Sequence, residues 1–100
     1  MKQELFNRYT TEVCRVFGVE EKDLFKKNKK SDLVDARYLI YYLCSDKNMK
    51  LTYIQKYMKK NGYDIPHSTI HYGIQQVKKK VHFDRDYRVV IDKINYLCTA

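Results

Sequence analysis

Apolar residues recur along the chain at intervals of three and four. Phe6, Tyr9, Val13, Val16 and Phe17 form one such stripe, which predicts an amphipathic helix closed by Gly18. Val19 to Phe25 predicts a short second helical turn, with Leu24 and Phe25 packing back on the first stripe. The run from Lys26 to Ser31 is basic and polar, cannot join a core, and predicts a solvated loop. Asp32 is the expected N-cap of the next helix, with Asp35 in the capping-box position. That helix carries Ala36, Leu39, Ile40, Leu43 and Cys44 on one face and should end near Asp46-Lys47-Asn48.

Leu51, Ile54, Tyr57 and Met58 are in register for a further helix, and Asn61-Gly62 would end it. Pro66 disfavours helix at Ile65, so Tyr63–Pro66 reads as a connector. A helix from His67 has the stripe Ile70, Ile74, Val77 and Val81, with Gly73 beside it to allow close helix approach. Tyr87, Val90, Ile91, Ile94, Leu97 and Cys98 mark a closing helix. No segment alternates with period two long enough to be a strand. The expectation is an all-α fold, a small helical bundle in one domain spanning residues 1–100.

Composition narrows the function. The 100 residues hold 20 Lys+Arg against 12 Asp+Glu, a formal charge of +8, which suggests an acidic partner such as nucleic acid. Three Gly and one Pro argue against a β-sandwich, and 44% apolar residues argue against disorder. No apolar run is long enough to span a membrane, and no secretory signal is legible. The expected setting is cytoplasmic. Cys14, Cys44 and Cys98 form no C-x-x-C pair and lie in or beside apolar stripes, so they read as buried hydrophobes.

The two consecutive helices Leu51–Lys60 and His67–Lys80 have the size of a helix-turn-helix. In such a unit the N-terminal turn of the second helix enters the DNA major groove. Here that turn reads His67-Ser68-Thr69, followed by His71 and Tyr72. Their hydroxyls and imidazoles can meet base edges or phosphates, although Ser68 could equally be an N-cap. Lys27, Lys29, Lys30 and Arg37 are candidate phosphate anchors, and Thr52 at the start of the first helix joins the candidate set.

Val13-Cys14-Arg15-Val16-Phe17-Gly18-Val19 followed by Asp23-Leu24-Phe25 resembles the opening helix and turn of the C-terminal DNA-binding domain of the bacterial replication initiator DnaA. In that family a basic loop follows, then a helix with an Arg, then a helix-turn-helix with a signature close to D-H-T-T-V-x-H-A. This chain has Lys26–Lys30, Arg37, and Pro66-His67-Ser68-Thr69-Ile70-His71-Tyr72-Gly73 in that order. The resemblance implies a Trp-repressor-like helix-turn-helix fold and duplex DNA as partner. It implies a minor-groove role for Lys29 or a neighbour, a backbone or base contact for Arg37, and major-groove reading by His67, Ser68 and Thr69. It implies action in replication or transcription control, free-standing and without the family's nucleotide-hydrolysing module, since no G-x-x-x-x-G-K-[S/T] is present. A phage or mobile-element genome is a plausible home, with a nucleoid or host-cytoplasm setting and a replication or phage protein as a further partner.

The chain departs from the family pattern at Pro66 (an Asp in the signature), at Asp35 (often basic), in a loop of Lys rather than Arg, and in a longer Lys59–Ile65 turn. These departures, with abundant tyrosine, favour a second reading, a protein-interaction module that kept the fold. An enzyme is not expected. His67 and His71 are spaced to share a metal, but H-E-x-x-H is absent and no third ligand is evident, so no metal or cofactor is assigned.

Overall fold

The computed structural model describes residues 1–99. Six helices follow one another: α1 (Lys2–Phe17), α2 (Glu21–Leu24), α3 (Ser31–Asp46), α4 (Leu51–Lys60), α5 (His67–Phe83) and α6 (Arg85–Thr99). No strand occurs among the described residues. The sequence periodicity located all six, including the short α2.

The stops are local. Gly18 closes α1 in the left-handed conformation, and the Val19 N–H donates to the Cys14 carbonyl at 3.0 Å. Asn48 closes α3 in the same way at φ 64°, with the Met49 N–H donating to the Cys44 carbonyl. The start of α3 differs from the expected one. Lys30, not Asp32, is the N-cap, no side chain caps the helix, and the Asp32–Asp35 capping box does not form. The reason lies upstream, where Asn28 Oδ1 accepts the Lys30 N–H at 3.0 Å and orders the chain just before the helix begins.

The core lies where α3 crosses α5 and α1. Leu39, Ile40, Leu43 and Cys44 from α3 meet Phe6, Tyr9 and Val13 from α1 and Ile70, Ile74 and Val77 from α5. Gly73 is required by this crossing. A Cβ there would lie 2.5 Å from Tyr38 Cδ1 and 3.0 Å from Tyr41 Cδ2. The closing helix α6 packs on α1 and α5 through Ile91, Ile94 and Cys98. Two polar ties add to this contact: Tyr9 Oη donates to Asn95 Oδ1 at 2.6 Å, and Arg8 Nη1 donates to the Cys98 carbonyl at 3.3 Å. The stripes read from sequence were drawn too wide at their edges, since Val16 and Leu97 are about half exposed.

All three cysteines are buried and unpaired with one another. Burial, with Glu21 adding to it, pushes the Cys14 thiol up to about 11, and burial pushes Cys44 up to about 12. A thiolate is the reactive form, so at pH 8 the Cys14 thiolate fraction falls roughly a hundredfold below that of a free cysteine. A thiol reagent is therefore expected to label the native chain slowly and all three cysteines rapidly in denaturant. Fast native labelling of Cys14 or Cys44 would contradict this packing.

Candidate nucleic-acid interface

The helix pair α4–α5 is joined by residues 61–66. Gly62, at φ 96°, turns the chain out of α4, and the Tyr63 N–H donates to the Met58 carbonyl at 3.0 Å. Ile65 then buries its side chain, and Gln55 Nε2 donates to its carbonyl at 2.8 Å. The turn is long but anchored at both ends, which fixes the start of α5. Pro66 is the N-cap of α5, and no side chain caps the helix. Ser68 therefore lies within the first turn and is not the cap. The free N–H groups at this end carry the positive pole of the helix dipole, a favourable place for a phosphate.

His67, Ser68, His71 and Tyr72 are exposed, and Thr69 is half-buried. Thr69 faces the basic loop. It and Lys29 line the same recess of about 340 Å³, whose remaining wall includes Arg37, Tyr38, Tyr41 and Tyr63. The loop and the first turn of α5, 40 residues apart, are thus brought to one face. Burial raises the Tyr38 and Tyr41 hydroxyls above their ordinary range. Tyr72 stacks edge-on against Tyr38 with ring centres 6.0 Å apart, which holds the ring beside the reading turn.

Arg37 is the principal correction. A direct DNA contact was expected, but its side chain is only 3% exposed. Nε donates to the Leu24 carbonyl at 2.7 Å, Nη1 to Asn28 at 2.8 Å, and Nη2 to Lys26 at 2.6 Å and Asp23 at 3.4 Å. Its guanidinium also lies over the Tyr63 ring, 4.6 Å from the centroid. Four carbonyl dipoles and an aromatic face thus surround the charge in place of a carboxylate. Arg37 is a clamp that shapes the loop between α2 and α3, not a group facing solvent.

The clamp leaves Lys27, Lys29 and Lys30 exposed on the loop. Lys26 leans back to Asp23 at 3.8 Å. Asp35, where the family is often basic, pairs with Lys80 at 3.2 Å, so one late lysine of α5 is engaged within the chain. Thr52 is exposed on α4 away from that recess. It lines a separate shallow depression with Gln55, Lys56, Lys59 and Asp64. Lys56 and Lys59 were missed as candidates. Their signal in the sequence was the absence of any acid in α4. Among the described residues no cluster of three or more metal-ligating side chains occurs, so His67 and His71 gather no third ligand. Among the described residues no helix is long and apolar enough to cross a membrane.

A trihelical core, an anchored turn, an uncapped second helix and a lysine loop at its side define a helix-turn-helix protein of the DNA-binding class. The model of the bacterial DnaA protein helix-turn-helix matches residues 10–77, which run from the middle of α1 to most of the way along α5. The chain belongs to the DnaA helix-turn-helix family. No curated protein and no solved structure matches the chain.

Proposed function

We propose that the chain binds duplex DNA with sequence preference and acts in control of replication or transcription. The observation that carries this reading is the shared face of the Lys29 loop and the first turn of α5. In this reading His67, Ser68 and Thr69 meet base edges, with His71 and Tyr72 flanking them. Lys27, Lys29 and Lys30 neutralise phosphates, and a further phosphate sits on the N–H groups at the start of α5. Thr52 and Lys56 hold the backbone on the other side of the helix pair. Arg37 takes part only by keeping the loop in shape.

Selection of bound duplexes from a random pool, read at several salt concentrations, tests the reading. Log affinity is expected to fall against log salt with a slope of about −3 to −5, set by the exposed lysines. Lys29→Ala should weaken all sequences alike and make the slope shallower by about 1. Changing Ser68 and Thr69 to Ala should narrow the gap between preferred and random duplexes by about 1–3 kcal/mol. A salt-independent affinity, or equal weakening of every sequence by both changes, would contradict sequence-preferring binding.

One observation favours the second reading, a protein-interaction module. Pro66 occupies the place where the family's signature has a hydrogen-bonding Asp, and its side chain can neither donate nor accept. Absence of any gel shift with random duplex at low salt would favour that module.

A further inference from the structure

Among the described residues nothing covers the outer face of α6, and its residue order is that of a surface that fits itself. Val89 is 60% exposed and Tyr96 is 74% exposed. With Arg85 and Asp92 they follow a spacing of four, three and four, so all four share one face of the helix. Leu97 and Val16 continue the apolar surface into a groove of about 270 Å³ between α1 and α6.

The charges are arranged with equal regularity. At about 100° per residue, Arg88 and Asp92 fall on one flank of the Val89–Tyr96 line, and Asp86 and Lys93 fall on the other. Among the described residues none of Arg85, Asp86, Arg88, Asp92 and Lys93 has an ion-pair partner within the chain. Each flank therefore carries one positive and one negative charge, unpaired and separated along the axis.

We propose that this face binds a second copy of the chain, with the two α6 helices packed antiparallel about a two-fold axis level with Val90. In an antiparallel pair each flank meets the same flank of the other copy, with its order reversed. Arg88 then stands level with Asp92 of the second copy, and Asp86 stands within about one residue of its Lys93, each pair occurring twice. Val89 packs against Val89 of the second copy, and the Arg85 guanidinium reaches the Tyr96 ring of the second copy. A parallel pairing sets Arg85 level with Arg85 of the second copy, and its flanks would meet as Asp86 with Arg88 and Lys93 with Asp92, so the paired reversal of Asp86 and Lys93 separates the two orientations.

The charge balance of the molecule points to the same place. Two copies at +8 repel one another. Helices α4 and α5 carry lysines and no acid, whereas α6 sets Asp86 and Asp92 against Arg85, Arg88 and Lys93. Approach through α6 is less opposed than approach through α4 or α5, and it leaves the loop and the start of α5 free. The contact is small, so the expected dissociation constant is on the order of tens of micromolar. A dimer so formed presents two reading helices, which suits a DNA site with two-fold symmetry.

Sedimentation over a protein concentration series tests this without DNA, so its outcome is independent of the function proposed above. The 12.1 kDa chain is expected to double in mass as concentration rises through that range. Val89→Asp should stay monomeric with an unchanged helical spectrum and melting point. Asp86→Lys and Lys93→Asp should each weaken the dimer roughly threefold to tenfold, and together they should restore it with the pair reversed. A monomer up to about 1 mM, a dimer indifferent to Val89→Asp, or a double variant no tighter than the single ones would overturn the proposal.

Discussion

Replacing Arg37 with alanine is expected to lower stability by about 2–4 kcal/mol, or roughly 10–25 °C in melting temperature for a chain of this size. Four carbonyls converge on the guanidinium, and alanine leaves them to water or to nothing. It also removes a side chain that fills buried volume between α3 and the loop. Arg37→Lys should recover only part of the loss, because one ammonium cannot reproduce a planar fork that reaches four acceptors. Hydrogen exchange of the amides from Leu24 to Ser31 should speed up in both variants. A direct DNA contact makes the opposite prediction, with unchanged melting and weaker binding alone. An unchanged melting point for Arg37→Ala would sink the clamp.

Gly73→Ala is expected to destabilise by about 2 kcal/mol, although alanine is the better helix former by about 1 kcal/mol. The added methyl would lie about 1 Å inside ordinary contact with the Tyr38 ring, 2.5 Å from Cδ1. That ring cannot easily retreat. The atoms in conflict are near its root, and Tyr72 and Tyr41 pack beside it at centroid separations of 6.0 and 6.3 Å. The family signature has Ala at this position, and the exchange is explained by the tyrosine opposite. A double-mutant cycle tests it. In a Tyr38→Leu background the cost of Gly73→Ala should shrink by about half or more. Equal costs in both backgrounds would place the strain elsewhere.

Much of the fold was legible because the main signals are local. Three-and-four spacing gave the helices, and Gly18, Gly62 and Pro66 gave most of the boundaries. The depth of burial was less legible. Val16 and Leu97 fit the period but sit at the edge of their stripes, where a neighbouring helix covers only part of the face. Arg37 was misread because charge was given more weight than position. It falls in the series Leu33, Ala36, Arg37, Ile40 and Cys44, squarely on the buried face of α3. Its partners are main-chain carbonyls, and no side-chain pattern announces those. The nearness of Lys29 to Thr69 was equally invisible, since it depends on how α3 crosses α5. The lysine run beside a candidate reading helix and the family resemblance both suggested that loop and helix act together.

The Arg37 clamp touches the loop through carbonyl oxygens alone, and every residue type supplies a carbonyl. The shape of the loop is therefore insulated from the identity of Lys27, Lys29 and Lys30. Those three positions can exchange side chains without disturbing the core. The scaffold is in that sense a holder with a replaceable tip, in which Lys27, Lys29 and Lys30 can vary while Arg37 stays fixed.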